Sequence, residues 1–591
     1  MKKFNYILML FGIFVVTACE DKFLDLERPD ALSESSFYKT AEHFRAGANG
    51  LYNGLWSWSW NVGNAQQLLL DRGSDLNLFT TDYGRGNIFP GNKDQVWTES
   101  YKNIRATNIL LEKANQYPGN PEEIVEYVAA AKFFRAYHYF FLLQRFGGVP
   151  VVTIVLDVDS PELMGKRNSR YEVFFQMKSD LEEAIDGLPN EANIAADDKG
   201  HISREAAQSL LAKALLFEAT WEKYVGTSTD GNGTTEGAGS TKPAGYPSMD
   251  EMLQQSAGLS KEVMDSGSFG LWNYNNELNN LTMYYLFNLE DAGSNPAGLD
   301  KSTNREFIFY SKYDFVLRQG RTNISHASYY SSINQNFMDM ILCTDGLPVD
   351  KSPLFQGYQT AEKQWENRDY RLFAYSGGNE DEVVLPDPPT LTETDAFPNF
   401  WNRKFRSYDY PNFREASTES SDFPHIRLAE VYLIYAEALY ELNGSITDAQ
   451  LNESLNKVRE RSGIAPLTNQ LATDYDLDIL EEIRRERTVE LFQENSRFND
   501  LRRWGIAEEV LNAPIFGPII EGTDYEGNPD LYDPSKYQFG EAVKQYTAEG
   551  PRRALVVDPS SNRSWSRANY LFPIPVEETN LNRNILQNPG Y

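Results

Sequence analysis

Apolar residues that recur every three or four positions run through long stretches of this chain, and they predict a mainly helical protein. Val128, Ala131, Phe134, Tyr137 and Phe141 mark one face of the clearest run, as expected for an amphipathic helix. A Gly-Gly pair and then a proline follow this run and predict its C-terminal end. The same periodicity predicts further helices over residues 94–114, 169–188 and 201–224, the last with Ser203 as its N-cap candidate.

Three stretches in the C-terminal half show the same helical periodicity: IRLAEVYLIYAEALYELNG, TDAQLNESLNKVRERSG and DILEEIRRERTVELFQENSRFNDLRRWG. Gly444 and Gly463 end the first two, and Thr447 or Asp448 caps the second. The third predicts one long, charged amphipathic helix. Helix pairs with short connections are the unit of repeats such as the tetratricopeptide type, although the spacing here is too degenerate to assign repeats by itself.

Between these stretches the chain lacks sustained periodicity and is rich in turn-forming and aromatic residues. Residues 225–248 predict a loop by composition, and residues 270–300, 376–422 and 513–565 combine Gly, Asn, Pro and Asp with aromatics. A helical scaffold with long loops commonly displays a binding surface on those loops. The closing YLFPIP predicts an extended tail pinned to the scaffold, because its prolines cannot continue regular structure.

The long charged stretch contains six arginines, which permit two interpretations. One is a patch that binds anions; the other, which we favour, is a solvated helix face whose charges are paired. Three acidic residues stand at helical pairing distance from arginines: Glu481–Arg485, Glu494–Arg497 and Asp500–Arg503.

The N-terminus, MKKFNYILMLFGIFVVTAC, has the pattern of a lipoprotein signal. Lys2 and Lys3 form a positive start, and the apolar run over residues 7–16 is too short to span a bilayer, which needs about 20 apolar residues. Small residues then precede Cys19, which predicts cleavage before Cys19 and acylation of its thiol. An ordinary signal peptide with a chance cysteine is the alternative. An acylated Cys19 would hold the body on a membrane surface.

Composition narrows the function further. The 591 residues carry a net charge of −30, a field that repels phosphate backbones and makes nucleic acid an improbable partner. There are two cysteines, so acylation of Cys19 would leave Cys343 without a disulfide partner; its apolar neighbours predict burial. Aromatic residues are abundant, and those in polar loops are hard to explain as core.

Several blocks, in order and nearly end to end, resemble the SusD/RagB-like nutrient-binding lipoproteins of the Bacteroidetes outer membrane. They include CEDKFLDLERPDALSESSFYKTAEHF, KFFRAYHYFFLLQRFGGVP, SREAAQSLLAKALLFEA, RRERTVELFQENSRFNDLRRWG and YLFPIPVEETNLNRNILQNPGY. The resemblance implies a mainly α scaffold of tetratricopeptide-type helix pairs with long loop-rich insertions. It also implies a surface lipoprotein that binds glycans, or peptides in the RagB branch, and passes them to a SusC-like TonB-dependent transporter without catalysis.

Pattern and resemblance together predict five regions along the chain. They are a signal peptide over residues 1–18, a lipid-anchored tether over 19–40, an N-terminal helical region over 41–224, a loop-rich ligand-binding region over 225–425, and a C-terminal helical region with an extended tail over 426–591.

An enzyme is disfavoured by the residues themselves. A glycosidase needs two carboxylates that flank the scissile bond, but with 85 Asp and Glu residues such pairs carry no signal. The five histidines are scattered, no HExxH occurs, and no Cys/His cluster has metal-ligand spacing. GRGNIFPG has no glycine at the third glycine position of the GxGxxG dinucleotide motif, where Phe89 stands. We therefore predict no catalysis, no cofactor and no metal site.

Aromatic residues in polar loops are the best candidates for sugar contact, because sugar rings pair apolar C–H faces with hydroxyl rims. GLWSWSWNVGN is the richest case, with Trp56, Trp58 and Trp60 two positions apart. A period of two places all three on one side of an extended segment. If the preceding helix continues instead, Trp56 and Trp60 share a face in the core. We expect at least one of Trp58 and Trp60 to contact ligand.

The next loop, LLLDRGSDLNLFTTDYGRGN, supplies four more candidates. Asp71 and Asp75 could accept hydrogen bonds from sugar hydroxyls, and either could equally cap a helix. Tyr83 and Arg85 follow in the same loop.

Two later loops complete the predicted site. LWNYNN contributes Trp272 and Tyr274, and PNFWNRKF contributes Trp401 and Arg403. Each candidate competes with a packing role. Trp97 has the spacing of a helix core and is excluded from the site.

Overall fold

The computed structural model describes residues 37–56, 71–78, 81–320, 332–377, 392–393, 398–405, 418–524, 526, 539–546 and 550–591. The N-terminal segment with Cys19, and Trp58 and Trp60, lie outside the described residues. The first helices are α1 (Ala41–Leu51), α2 (Gln95–Ala114), α3 (Val125–Phe146), α4 (Arg170–Gly187), α5 (Arg204–Tyr224) and α6 (Met249–Asp265).

The predicted helix boundaries in the N-terminal half are confirmed, and local chemistry explains them. Asp94 caps α2 by accepting from two main-chain N–H groups, and Ser203 caps α5. Ser169 and Glu172 form a capping box at the start of α4. Gly147, with φ 71°, ends α3 in a conformation that favours glycine.

These helices stack into one array. Neighbours pack in the order α2, α3, α4, α5 and α6, and α6 then packs on α11 (Leu428–Asn443). Helix α6 lies within the range that the sequence predicted to be loop-rich, so the array continues into residues 225–425. The predicted mainly α scaffold of helix pairs with loop-rich insertions is confirmed, and Trp97 is buried in its core as expected.

Shorter helices occupy the rest of the chain. They are α7 (Thr282–Leu286), α8 (Gln335–Met340), α9 (Ala361–Trp365), α10 (Tyr370–Tyr375), α12 (Asp448–Glu453), α13 (Leu455–Arg461), α14 (Asn469–Asp474), α15 (Ile479–Glu490), α16 (Arg497–Arg503), α17 (Ala507–Asn512) and α18 (Val576–Leu581).

Two predicted C-terminal helices are each divided. The second stretch breaks at Ser454 into α12 and α13, with Thr447 as the predicted cap. The long charged stretch breaks between α15 and α16, where Gln493 and Asn495 take positive φ angles of 58° and 62°. The prediction of one long helix was therefore wrong.

Buried side chains from distant segments replace the missing helical hydrogen bonds at the break. Arg427 donates to the carbonyl of Glu490 at 2.7 Å, and Lys404 donates to that of Phe492 at 2.6 Å. The Tyr375 hydroxyl donates to the same Glu490 carbonyl. Because these donors pair with the buried carbonyls of Glu490 and Phe492, the helix can end here at little cost in unpaired acceptors.

The strands are short and peripheral to the array. They are β1 (Phe307–Ser311), β2 (Ser376–Gly377), β3 (Thr392–Glu393), β4 (Pro398–Asn399), β5 (Trp401–Asn402), β6 (Phe423–Arg427), β7 (Ile515–Ile519), β8 (Phe539–Tyr546) and β9 (Gly550–Asp558). β1 pairs with β6, β2 with β5 and β3 with β4, and the order β7-β9-β8 forms a three-stranded antiparallel sheet. Sequence periodicity did not predict this sheet.

The charged stretch is paired, as predicted, but most of its charges are buried rather than solvated. Glu490 is fully buried and contacts Arg371 at 2.8 Å, Arg427 at 2.6 Å and also Arg461. Burial alone would raise the pKa of Glu490, but these three guanidinium groups together hold it well below its usual range. The carboxylate therefore stays ionised inside the protein.

Most partners in this network come from other elements. Arg487 pairs with Glu430 of α11 at 2.9 Å, and Arg503 pairs with Glu437 of α11 at 2.6 Å. Among the three predicted local pairs, Asp500–Arg503 is present at 2.8 Å. The other two are replaced by Glu481–Arg484, Glu482–Arg485 and Asp75–Arg497.

The YLFPIP tail is pinned to the array as predicted. Tyr570 and Ile574 are fully buried, and the Phe572 N–H donates to the carbonyl of Arg145 at 2.7 Å. The Arg145 guanidinium lies 3.7 Å from the centre of the Phe572 ring. Arg502 donates to the Tyr570 carbonyl, so the tail also contacts α16.

Candidate functional site

Four stretches of chain, most of whose described residues are buried, meet at one place, which we call the loop face: residues 71–78, 332–334, 375–377 and 398–405. The Leu78 N–H donates to the carbonyl of Ser332 at 2.7 Å, and the Ile333 N–H donates to that of Phe400 at 2.9 Å. Arg403 in turn donates its N–H to the carbonyl of Tyr375. Main-chain bonds therefore fix these stretches relative to one another.

An aromatic chamber lies between the helical array and strands β1 and β6. Its aromatic wall consists of Trp56, Tyr137, Phe140, Phe141, Phe309, Phe423 and His425. The chamber is also lined by the polar residues Lys213, Gln144, Glu494, Asn495 and Asn499. The cavity volume is about 50 Å³. Since a water molecule takes about 30 Å³ of liquid volume, the chamber itself does not hold a sugar ring.

Ring contacts and hydrogen bonds hold the lining residues of the chamber in place. The Phe309 and His425 rings stack with centroids 4.6 Å apart, and the Ser311 hydroxyl lies 3.0 Å from His425 Nε2. Burial lowers the pKa of His425 to about 3, so the ring is neutral near pH 7. The main-chain N–H of Trp56 donates to the Tyr137 hydroxyl. The chamber thus anchors Trp56, the last described residue before the predicted ligand residues Trp58 and Trp60.

A second cavity of about 30 Å³ shares Phe141, Gln144, Asn495 and Asn499 with the chamber and extends to Asp71. Trp56 and Asp71, the described residues on either side of segment 57–70, therefore line two small cavities that adjoin each other.

Asp71 and Asp75 are buried, and both act on the protein itself. The Asp71 carboxylate accepts from the N–H groups of Ser496 and Phe498 at the start of α16, which is the capping role that the sequence left open. Asp75 is bidentate to Arg497, with both distances 2.8 Å. Their side chains are occupied by these partners, so their placement favours structural support over sugar contact.

Tyr83 and Arg85 are half-buried at the edge of the C-terminal tail. The Tyr83 ring packs edge-on against Phe498 with centroids 5.2 Å apart, and burial raises the pKa of its hydroxyl. Arg85 forms an ion pair of 3.1 Å with Asp558 of β9. Both residues therefore have structural partners, and part of each remains accessible to solvent.

Trp272 departs most clearly from its predicted place in a ligand site. Its side chain is 2% exposed and its indole N–H donates to the Thr303 hydroxyl at 3.0 Å. Burial of this kind leaves no ring face for a ligand, because the large apolar surface is taken up by packing. Tyr274 is half-buried against Trp272, with ring centroids 5.0 Å apart.

Trp401 and Arg403 lie at the loop face. The Trp401 main chain pairs with Gly377 between β5 and β2. Arg403 is buried, with its guanidinium 5.4 Å from the centre of the Tyr284 ring. The structure thus brings Asp71, Asp75, Trp401 and Arg403 to one region and leaves Trp272 and Tyr274 elsewhere in the packing.

Two wider clefts flank α2, and sequence reasoning missed both. One, of about 550 Å³, is lined by residues of α2, α3 and α4, including Leu111, Val128 and Lys132. The other, of about 430 Å³, runs between α2 and the tail, where Ile154 and Leu163 are 52% and 44% exposed. The uncharged run VVTIVL over residues 151–156 was the available signal for the second cleft.

Carboxylates beside the chamber are paired rather than poised for acid–base chemistry. Glu494 contacts Arg427 at 2.7 Å and Lys404 at 2.6 Å. Within the described ranges, no three or more His, Cys, Asp and Glu side chains group as metal ligands would. Among the same residues, no helix is both long enough and apolar enough to cross a membrane.

Packed helices with loop-rich insertions define a mainly helical scaffold protein. Two family models match the chain: that of the SusD family over residues 286–591, and that described as starch-binding associating with outer membrane over residues 22–216. Because the first spans more than half of the chain, the protein belongs to the SusD family.

Relatives and solved structures agree with this assignment. A SusD-like protein of Bacteroides ovatus is 24% identical over 565 residues, which cover 90% of this chain and 89% of the relative. A SusD-like protein of Formosa agariphila is 25% identical over 548 residues, with 86% and 92% covered.

Two crystallised proteins share the fold. A SusD-like carbohydrate binding protein from Bacteroides fragilis superposes with a TM-score of 0.69 at 21% identity, covering 93% of this chain and all of that one. A laminarin binding SusD-like protein gives 0.56 at 21% identity, covering 94% and 100%.

Proposed function

We propose that this protein is a cell-surface lipoprotein that binds an oligo- or polysaccharide and delivers it to a SusC-like TonB-dependent transporter in the outer membrane. It captures the glycan without altering it. Acylation at Cys19 would tether the body to the membrane, and the loop face would carry the glycan.

The observation that carries this proposal is the convergence at the loop face. Residues 71–78, 332–334 and 398–405, which adjoin segments 57–70, 321–331 and 406–417 in the sequence, are joined there by main-chain hydrogen bonds. Gly320 and Glu419, at the other ends of the latter two segments, also bond to each other at 2.6 Å. Loops that leave a rigid scaffold at one place can jointly surround an extended ligand.

The chemistry of the loops supports a sugar ligand. Trp58 and Trp60 stand close to asparagines in GLWSWSWNVGN, and Trp401 belongs to a second aromatic segment, PNFWNRKF. Flat aromatic rings with amide neighbours suit pyranose rings, which offer C–H faces and hydroxyl rims. We propose Trp58, Trp60 and Trp401 as the foremost ligand contacts, with Tyr83 and Arg85 as peripheral ones.

Location and partner rest on the chain ends and the family. The signal pattern before Cys19 and the outer-membrane association named in the matching family description support a lipid-anchored protein. A transporter of the SusC type is the partner that the family resemblance implies. Co-purification of this protein with such a transporter from detergent-solubilised outer membranes would test the pairing.

Replacement of Trp58 and Trp60 by Ala tests the ligand site. Calorimetric titration with a panel that includes starch and laminarin should show glycan binding by the wild type. The double variant should bind at least tenfold more weakly, because stacking surface is lost, while its melting temperature stays within a few degrees.

Trp272→Ala is the matched control for the loss of a tryptophan. It should lower the melting temperature strongly because Trp272 is buried. A similarly large loss of stability in the Trp58 and Trp60 variant would assign those residues to the core. Heat with peptide digests and none with any glycan would favour a peptide-binding protein of the RagB type.

A further inference from the structure

A buried cluster of polar side chains, which we call the hub, joins stretches of chain that meet at the loop face to the break between α15 and α16. Its members are Asp71, Asp75, Asn77, Asn334, Asn402, Gln493 and Arg497, and each is less than a tenth exposed. Buried polar groups require partners, so a fully bonded cluster fixes its members in one arrangement.

The first set of bonds joins residues 71–78 to the start of α8. The Asn334 amide donates to the carbonyls of Asp75 and Asn77. On its other side, the Asn334 side-chain oxygen accepts from the Phe337 N–H at 2.9 Å and so caps α8. Asn334 therefore performs two separable tasks, one through its nitrogen and one through its oxygen.

The second set joins residues 71–78 to the break between α15 and α16. The Gln493 amide donates to the side-chain oxygen of Asn77 at 3.0 Å, and its own oxygen accepts from the Asn402 amide. Arg497 holds Asp75, and Asp71 accepts from the main chain of α16. Residues between α15 and α16 and within α16 therefore hold residues 71–78 and Asn402 in place.

The backbone at the hub is strained. Asp71 and Gln493 both have positive φ, at 50° and 58°. Such conformations are costly for residues other than glycine and persist where the surroundings hold them in place. A continuous helix over residues 479–503 would avoid the positive φ of Gln493 but would remove the Gln493 contact to Asn77 and Asn402.

From this geometry we infer that Asn334 and Gln493 are positioning residues for carbohydrate binding. Both are buried and bond to the protein itself, and they join residues 71–78, 332–334 and 400–402 into one unit, from which the segments proposed to bind the glycan begin or end. The inference rests on the proposed function, because it assigns these loops to the glycan. Pre-organisation of this kind raises affinity by reducing the ordering cost of binding.

The test uses Asn334→Asp and Gln493→Ala in the full-length protein. Asn334→Asp keeps the oxygen that caps α8 and removes the donor to Asp75 and Asn77. Each variant should lower the affinity for a glycan that the wild type binds, from a panel including starch and laminarin, by at least tenfold.

Leu451→Ala is the control, because Leu451 is fully buried in a separate core cluster of α11 to α15. It should lower the melting temperature at least as much as the hub variants and leave affinity within twofold. Equal affinity losses in the control and hub variants would overturn the inference.

Hydrogen–deuterium exchange decides the matter independently of any glycan. In both hub variants, amides of residues 71–78, 332–340 and 400–405 should exchange faster together, and they should be unchanged in Leu451→Ala. Faster exchange confined to the mutated stretch would overturn the inference. A wild type that binds no glycan, with coordinated exchange in the variants, would contradict the proposed function while upholding the hub as one unit.

Discussion

Burial changes what a carboxylate does in this protein, and Asp71 is the clearest case. It belongs to an acidic chain, yet it is 1% exposed and accepts long main-chain hydrogen bonds, of 3.3 Å from Ser496 and 3.4 Å from Phe498. Burial is the largest cause that raises the pKa of Asp71, and the nearby Asp500 carboxylate also raises it. The main-chain N–H donors lower it, and the resulting pKa is about 7.

This raised pKa predicts a pH dependence. Between about pH 4 and pH 7 the folded state binds more protons at Asp71 than the unfolded chain, so the free energy of unfolding falls as pH rises through this window. The slope from one group is at most about 1.4 kcal/mol per pH unit. The stabilisation that protonated Asp71 contributes is fully present below this pH window and is lost above it.

Asp71→Asn removes this titration and keeps an acceptor. Urea unfolding at pH 5 and pH 7 should show the wild type losing stability relative to the variant between the two values. Contributions from other groups cancel in the comparison. A difference between the proteins that is the same at both pH values would show that Asp71 is already ionised at pH 5.

At the scale of elements, the interruption of the charged helix organises the C-terminal half. α15 and α16 would be one helix by periodicity, but the positive φ of Asn495 turns the chain between them. The turn lets α15 and α16 each pair with α11 while the hub contacts form between them.

Substitution at Asn495 tests the turn. Asn495→Gly should be tolerated, because glycine adopts positive φ freely. Asn495→Val should lower the free energy of unfolding by about 1–2 kcal/mol, the approximate cost of a left-handed conformation for an L-residue with a branched side chain. Chemical denaturation of the two variants gives the comparison. Equal stability would show that the turn does not depend on the positive φ of Asn495.

At the scale of the whole molecule, a protein with net charge −30 keeps many arginines inside. Glu490 lies at the centre, where side chains from β6, α10, α13 and α15 meet. Such an arrangement contributes less to stability than its contacts suggest, because each ion is removed from water. Its effect is to allow only one relative placement of these elements.

Removal of the central charge should be costly. Glu490→Gln leaves Arg371, Arg427 and Arg461 short of a buried counter-charge, and it should destabilise the protein by about 3–5 kcal/mol. Asp265→Asn, in the exposed Lys261–Asp265 pair, is the control and should change stability little. Calorimetry on both variants provides the measurement; equal, small shifts would mean that the buried network is not held together by Glu490.

Local patterns explain how much of this architecture could be predicted. The apolar face of α3, the caps Asp94, Ser169 and Ser203, and Gly147 act within a few residues along the chain, so periodicity and composition identify them. The buried positions of Trp97 and of the YLFPIP tail followed from the same reasoning.

The candidate site was harder to predict, because the same residue types serve binding and packing. Nothing local distinguishes Trp272 in the core from a tryptophan at a ligand, or Asp75 paired with Arg497 from a free acceptor. Each partner lies far away in sequence: Asp75 and Arg497 are 422 residues apart.

The sequence by itself determined the helical scaffold, the signal pattern before Cys19 and the family, since these depend on short-range periodicity and on ordered blocks of residues. Only the tertiary structure decided where the long charged helix breaks, which carboxylates are buried and which loops share a face. The physical reason is that burial and long-range ion pairing override local helical preference wherever a distant segment satisfies the exposed polar groups.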